Sequence, residues 1–506
     1  MRLPKRAEAV LSYVPPSVAK GVESALEKIP GVGAMVRAEK AKVAESLKAQ
    51  VRKHRPAELA THVLPKKGFE KTELLAVLEK LSKGEEKTWK DGRVSGGVYH
   101  GDAEHLRFLD RVYSLYSQAN PLHADVWPSV VRFEAEIVSM TAKLLGAPEM
   151  PLDSEHAVCG TLSSGGTESI MLAIKAYRDH ARRYRRIEKG NIVLPSSAHP
   201  AFDKAAHTLD LEARRVPVAK DGRADVVKMK RALDKRTLVM IGSAPGFPHG
   251  LIDPIEELSE LARSRKAGFH TDCCLGGFVL PFARELGYPV PRFDFALPGV
   301  TSISADTHKF GYAAKGTSVV LYRGHALRKA QYFATPDWPG GLYVTPGFAG
   351  SRPGALVASA WATMMATGHD GYLQSTKAVL EAAAKLRDGI RQIPELEVIG
   401  DPLWVIAFRS DKLDVYRVLD EMAKKGWSLN GLQKPAAVHV CVTLRHTQPG
   451  VVDALLTDLK SAVEAVRGTP PAKDGMAPVY GLASSLPFKG LVSDLLSAYV
   501  DALYDA

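Results

Sequence analysis

The chain is 506 residues long, and several features that would classify it quickly are scarce. It has four cysteines, Cys159, Cys273, Cys274 and Cys441, and no pair shows a CxxC spacing. That argues against a disulfide-dense secreted scaffold and against a zinc ribbon. Long apolar runs are missing too. The longest uncharged stretch, 353–369, is interrupted by proline and glycine and is too short to span a bilayer. The basic N-terminus lacks the continuous apolar segment of a secretory signal. No internal repeat, zinc finger or RNA-reading signature appears, so nucleic acid is not an expected partner. These absences predict a soluble protein of a reducing compartment, cytoplasmic, with no transmembrane segment.

Hydrophobic residues make up 45% and charged residues 24% of the chain, ordinary values for a globular enzyme. The net charge is +11, and residues 1–70 hold 14 Lys+Arg against 7 Asp+Glu, so 14 − 7 = +7 lies at one end. Residues 1–65 form a basic helical arm. In its run 35–55, Val36, Val43, Leu47 and Val51 fall on one helical face. Such an arm either packs on the body or a partner subunit, or rests on an anionic membrane surface.

Residues 66–369 alternate helices with short apolar runs, as at 237–243, 268–273 and 299–306, and a helix started by Asp253 and Pro254 lies between the first two. This pattern predicts βαβ units and a mostly parallel sheet, with ligands at the carboxyl ends of its strands. Residues 370–470 read as a smaller α+β domain, and 471–506 as a tail ending in a helix.

Three stretches carry chemistry. In SISADTHKFGYAAKGT (302–317) a buried strand delivers Lys309, beside His308, to a cleft, where an amine can react with an aldehyde. Its Gly311–Gly316 spacing is not a P-loop, because Lys315 precedes the second glycine. In SSGGTES (163–169) a small, donor-rich turn opens a helix and forms an anion cradle suited to a phosphate monoester. Asp272 closes the 268–272 strand, where a carboxylate can pair with a protonated heteroaromatic nitrogen. A metal at His270, Asp272, Cys273 and Cys274 is not expected, because no complementary ligand pair occurs elsewhere. Cradle, carboxylate and amine are together the set that pyridoxal 5'-phosphate requires.

With those motifs in place, the chain resembles the aspartate-aminotransferase-like fold (fold type I of pyridoxal-phosphate enzymes), in the group II decarboxylase branch. It is most similar there to the sphingosine-1-phosphate lyases. The resemblance runs from about residue 85 to the C-terminus, through VSGGVYHGDA (94–103), NPLHADVWPS (120–129), SSGGTES (163–169), HPAFDKAA (199–206), FPHGLIDP (247–254), DCCLGGF (272–278) and 302–317. It continues through DWPGGLY (337–343), GSRPG (350–354), GWSLNGLQ (426–433) and GMAPVYGLA (475–483).

The resemblance implies that Lys309 binds the cofactor covalently, Asp272 meets the pyridine nitrogen and His199 stacks on the ring. Gly166, Thr167 and His308 would hold the cofactor phosphate. Tyr99, Lys315, His123, Asn120 and Ser351 would surround the substrate phosphate and the reacting carbons, Tyr99 and Lys315 with catalytic roles. Cys273 stands where the family usually has Ala and Ala314 where Pro is common; neither removes a reactive group. The family's eukaryotic membrane anchor has no counterpart here, which suggests a soluble bacterial-type form with at most peripheral membrane contact. A homodimer with sites at the subunit interface is also implied. The implied reaction is retro-aldol cleavage of a phosphorylated long-chain base to a long-chain aldehyde and phosphoethanolamine. Its general base is open among Lys309, Tyr99, a histidine and a phosphate oxygen. The alternatives are an amino-acid decarboxylase on the same fold and a basic binding protein on a dead scaffold.

Overall fold

The computed structural model describes residues 63–469 except 152, residues 489–504, and positions 45, 48, 49, 56 and 61. Apart from positions 45, 48 and 49, the helical run 35–55 lies outside the described residues, as does the connector from 470 to 488. Within the tail, Lys489–Tyr504 is a helix.

Seven strands build the large sheet: β1 (Val158–Ser163), β2 (Asn191–Pro195), β3 (Glu212–Val216), β4 (Thr237–Ser243), β5 (Gly268–Asp272), β6 (Ser302–Ala305) and β7 (Ser318–Arg323). Their spatial order is β1-β7-β6-β5-β4-β2-β3. Pairing is parallel from β3 to β6, and β7 runs antiparallel to both β6 and β1. Every residue of β2, β4 and β6 is buried. That is why these strands appear in the sequence as unbroken apolar or small-residue runs, not as alternation. Helices Gly166–Arg185, Ala201–Thr208 and Ile255–Ser264 connect or cover the strands.

A hairpin, β8 (Phe333–Thr335) with β9 (Tyr343–Thr345), follows the large sheet. A long helix, Gly354–Arg391, then leads to a second sheet and kinks at Gly368, where φ is 58°. The second sheet is antiparallel, ordered β10-β11-β13-β12 from Glu397–Val398, Val405–Arg409, Ala437–Cys441 and Asn430–Leu432. Helices Val415–Lys424 and Val451–Val466 accompany it.

The two sheets share one apolar core, in which Phe269 and Ile303 of the first belong with Phe408 of the second and with Trp404 just before β11. Each such fully buried side chain contributes roughly 1.5–3 kcal/mol. The sheets are also tied by the loop after β4: Pro248 O accepts a hydrogen bond from His439 Nδ1 at 2.9 Å. The segment around residue 95 crosses the small sheet, where Ser95 Oγ accepts from Cys441 N at 2.9 Å. It thereby carries Tyr99 towards the strand ends of the large sheet.

One sequence-based expectation is corrected. The helix before β5 starts at Ile255 behind Pro254, and Asp253 does not cap it. The Asp253 side chain is buried and accepts Ala224 N at 2.8 Å and Ser243 N at 2.9 Å. It accepts from two buried N–H groups, one of them at the end of β4, and a buried donor left unpaired costs more than an exposed helix end.

Candidate active site

The carboxyl ends of β4, β5 and β6 open onto a cavity of about 270 Å³. Its wall contains Gly166, Thr167, His199, Asp272, His308 and Lys309, six of the residues singled out from the sequence and far apart along it. Each arrives by a local device. β6 ends at Ala305, and the next four residues turn His308 and Lys309 into the cavity. β1 ends at Ser163, and the helix beginning at Gly166 points its N-terminus there. The first-turn N–H groups of a helix have no acceptor four residues back, so they are free for an anion.

The turn at Gly166 tolerates no side chain. A Cβ there would stand 2.8 Å from both Asp306 carboxylate oxygens and 2.8 Å from Cys274 Sγ. A Cβ at Gly165 would stand 3.5 Å from His308 Cε1, so His308 closes the same cradle. Across the cavity, Asp272 Oδ1 accepts Cys274 N at 3.1 Å and Ser304 Oγ at 3.4 Å. A helix N-terminus with a hydroxyl and an imidazole, a facing carboxylate and an amine fit a phosphorylated pyridine aldehyde at its three polar corners. The residues present therefore suit pyridoxal 5'-phosphate.

Asp306 is a residue that the sequence reading passed over. Its carboxylate is 2% exposed and lies 2.9 Å from Lys309 Nζ. Burial disfavours the lysine charge, but Asp306 outweighs it and holds Lys309 above the usual lysine range. The signal was available, since Asp306 stands three residues before the lysine at the same strand end. Phe247 and Cys274, which also line the cavity, were quoted within motifs without a role.

Tyr99 and Lys315 stand next to this wall. Lys315 Nζ lies 4.5 Å from the Tyr99 ring centroid and 3.5 Å from His308 O. Tyr99 packs edge-on against Phe310 at 4.9 Å, and burial pushes its phenol up, so it remains a donor. Loss of hydration and the Lys309 charge pull Lys315 down to about 8. Burial lowers His199 and His308, which favours neutral rings.

Asn120, His123 and Ser351 form a different group. Asn120 Nδ2 donates to Ser351 Oγ at 3.0 Å, and His123 N donates to Asn120 O at 3.0 Å. None of the three lines the cavity of its own chain.

This combination of fold and cavity is that of a fold-type-I pyridoxal-phosphate enzyme. The family described as pyridoxal-dependent decarboxylase conserved domain matches residues 112–410. The glutamate decarboxylase of Lactobacillus brevis shares the fold at 20% identity, with a TM-score of 0.70, over 83% of this chain and 98% of that one.

More narrowly, the chain belongs to the sphingosine-1-phosphate lyase family. It is 49% identical to the Arabidopsis thaliana sphingosine-1-phosphate lyase over 486 residues, 95% of this chain and 87% of the relative. The Dictyostelium discoideum lyase is 44% identical over 96% of this chain and 90% of its own length. The solved Burkholderia pseudomallei sphingosine-1-phosphate lyase superposes with a TM-score of 0.79 at 46% identity, covering 81% of this chain and 94% of that one.

Proposed function

We propose that this chain cleaves the C2–C3 bond of sphingosine-1-phosphate and related long-chain base phosphates, releasing a long-chain aldehyde and phosphoethanolamine. The observation that carries the reading is the convergence of Lys309, Asp272 and the Gly166–Thr167 helix start on one cavity. Pyridoxal 5'-phosphate, when bound, supplies the electron sink for the pair left by the broken bond.

The chain's own groups hold and position. Gly166, Thr167 and His308 would hold the cofactor phosphate, His199 would lie against the ring, and Asp272 would meet the ring nitrogen. Lys309 would hold the cofactor through Nζ and could carry a proton to C2. Tyr99 and Lys315 meet the substrate as a donor and a cation, which suits a phosphate.

In this reading a second copy of the chain completes the site with Asn120, His123 and Ser351. Support for a homodimer comes from the helix Lys71–Lys90, which has no buried residue although Leu74, Leu75 and Leu78 lie on it exposed. A cytoplasmic location is supported by four free, buried thiols. No helix among the described residues is long and apolar enough to cross a membrane. Contact of the basic arm 1–65 with a membrane surface is part of the proposal, although nearly all of the arm lies outside the described residues.

The deciding experiment incubates the protein with sphingosine-1-phosphate and pyridoxal phosphate and follows hexadecenal and phosphoethanolamine by mass. Both products are expected in equal amounts. Carbon dioxide release from an amino acid without aldehyde formation would replace this reading with the decarboxylase one.

A further inference from the structure

Behind Asp272 a column of buried polar side chains runs away from the cavity between β5 and β6. Alternate residues of a strand share a face. The parallel register sets His270 opposite Ser302 and Asp272 opposite Ser304. Tyr177, from the helix whose start forms the phosphate cradle, covers the far end. Its Oη lies 2.7 Å from Ser302 Oγ, and Ser302 Oγ lies 2.7 Å from His270 Nδ1. His270 Nε2 is 3.2 Å from Ser304 Oγ, which donates to Asp272 Oδ1 at 3.4 Å. His270, Ser302 and Ser304 are all fully buried. Room for the tyrosine is specific: a Cβ on Gly268, on the same face of β5, would stand 2.2 Å from the Tyr177 ring.

The direction of the column follows from its end. Ser304 Oγ donates to Asp272 Oδ1, beside the backbone N–H of Cys274. Ser304 oxygen then accepts from His270 Nε2–H, and also from the Cys274 thiol at 3.3 Å. His270 Nδ1, lacking a proton, accepts from Ser302, which leaves the Ser302 oxygen to accept from Tyr177. Tyr177 Oη in turn accepts from Thr301 Oγ1 at 2.7 Å, and Thr301 Oγ1 accepts from Phe269 N at 2.8 Å. Every donor in the column thus points towards Asp272. This order requires a neutral imidazole, and burial lowers His270 to about 4 despite the Asp272 charge.

We infer that His270 and Ser304, backed by Ser302 and Tyr177, are positioning residues that hold the Asp272 carboxylate aimed at the cavity, and so set the protonation of the cofactor's ring nitrogen. This rests on the reading of Asp272 as the partner of that nitrogen. A carboxylate whose oxygen is fixed by donors from behind keeps its charge facing the ring nitrogen, and one free to turn away loses that charge-assisted contact, so the ring nitrogen gives up its proton more easily. The titratable groups facing Asp272 are His199 across the cavity, His270 beneath it, and Cys273 and Cys274 beside it. Burial keeps both thiols protonated, so they add no competing charge.

The test reconstitutes the full chain with pyridoxal phosphate carrying nitrogen-15 in the ring and follows that nitrogen's NMR shift against pH. In Ser304→Ala and His270→Phe the ring nitrogen should lose its proton about one pH unit lower than in wild type, a roughly tenfold loss of proton affinity. His270→Gln, which can still donate to Ser304, should recover part of it, and kcat should fall in all three while KM changes little. Ser302→Ala and Tyr177→Phe, each removing a single hydroxyl, carry the test if His270→Phe does not fold. A nitrogen-15 profile of Ser304→Ala and Ser302→Ala superimposable on wild type overturns the inference, whatever happens to thermal stability. Asp272→Asn separates the two readings: it should leave the ring nitrogen unprotonated throughout. A wild-type signal from Asp272→Asn would instead remove the Asp272 assignment itself.

Discussion

At the scale of single residues, two lysines share one loop and are shifted in opposite directions. Lys309 is paired with Asp306, and Lys315 lies against the Tyr99 ring close to the Lys309 charge. Lys309→Ala should abolish aldehyde release, with a loss of at least about 100-fold, the lower end for a group that transfers a proton at the reacting carbon. Circular dichroism should remain that of wild type, and retained aldehyde release in the variant would defeat the assignment. Lys315→Ala should weaken binding of the phosphorylated substrate by roughly 10- to 100-fold, the value of a hydrogen bond to a charged group. A non-phosphorylated analogue should be handled by variant and wild type alike. The pH dependence follows from the sign of the shift. With its pKa at about 8, Lys315 is charged below that pH and neutral above it. Wild-type affinity for the phosphorylated ligand should therefore decline as pH rises through about 8, and Lys315→Ala should show no such decline. Equal losses with both ligands, or a wild-type decline that persists in the variant, would take the phosphate role from Lys315.

At the scale of elements, the sequence was most legible where an element declares itself by its own residues. β4, β5 and β6 stand where unbroken apolar or small-residue runs placed them, and Lys309, Asp272 and the Gly166 turn follow directly from strand ends and a helix start. It was least legible where the decisive partner is distant in sequence. Asp253 has the composition of a helix cap, yet its two oxygens seal N–H groups 29 and 10 residues away. The polar column depends on the register of β5 with β6, which no local pattern encodes, although the i, i+2 spacing of His270 with Asp272 and of Ser302 with Ser304 was visible. Asp306 was missed for another reason: a lone acidic residue beside a lysine is commonplace until burial shows that it has no solvent. The Asp253 correction is testable. Asp253→Ala leaves two buried N–H groups unpaired and should cost about 2–4 kcal/mol in urea unfolding, at 1–3 kcal/mol for each orphaned group with partial relaxation. A cost below about 1 kcal/mol, typical of a lost helix cap, would restore the capping role.

At the scale of the whole molecule, the described residues expose a sizeable apolar surface. Besides Leu74, Leu75 and Leu78, the hairpin region exposes Trp338, Leu342 and Val344, and Leu342 is 85% exposed. Apolar exposure of this extent on a chain with a well-filled core is what the proposed second copy would cover. Asn120 and Ser351, hydrogen-bonded to each other across 231 residues, do not line their own chain's cavity; on the proposed reading they serve another copy's cavity, and on the alternative none. The substitution Leu75→Asp together with Leu78→Asp distinguishes these. Both residues are exposed, so a charge there leaves the core of the chain unaltered. If a second copy covers this helix, the pair of charges must be desolvated on association, and the mass measured by light scattering should fall from that of a dimer to that of a monomer. The monomer should still bind pyridoxal phosphate, because Gly166, Thr167, Asp272 and Lys309 come from one chain. It should lose at least about tenfold in aldehyde release, because the substrate-phosphate contacts no longer meet the cavity. A variant that remains a dimer places the interface elsewhere, and a monomer with full activity removes Asn120, His123 and Ser351 from the site.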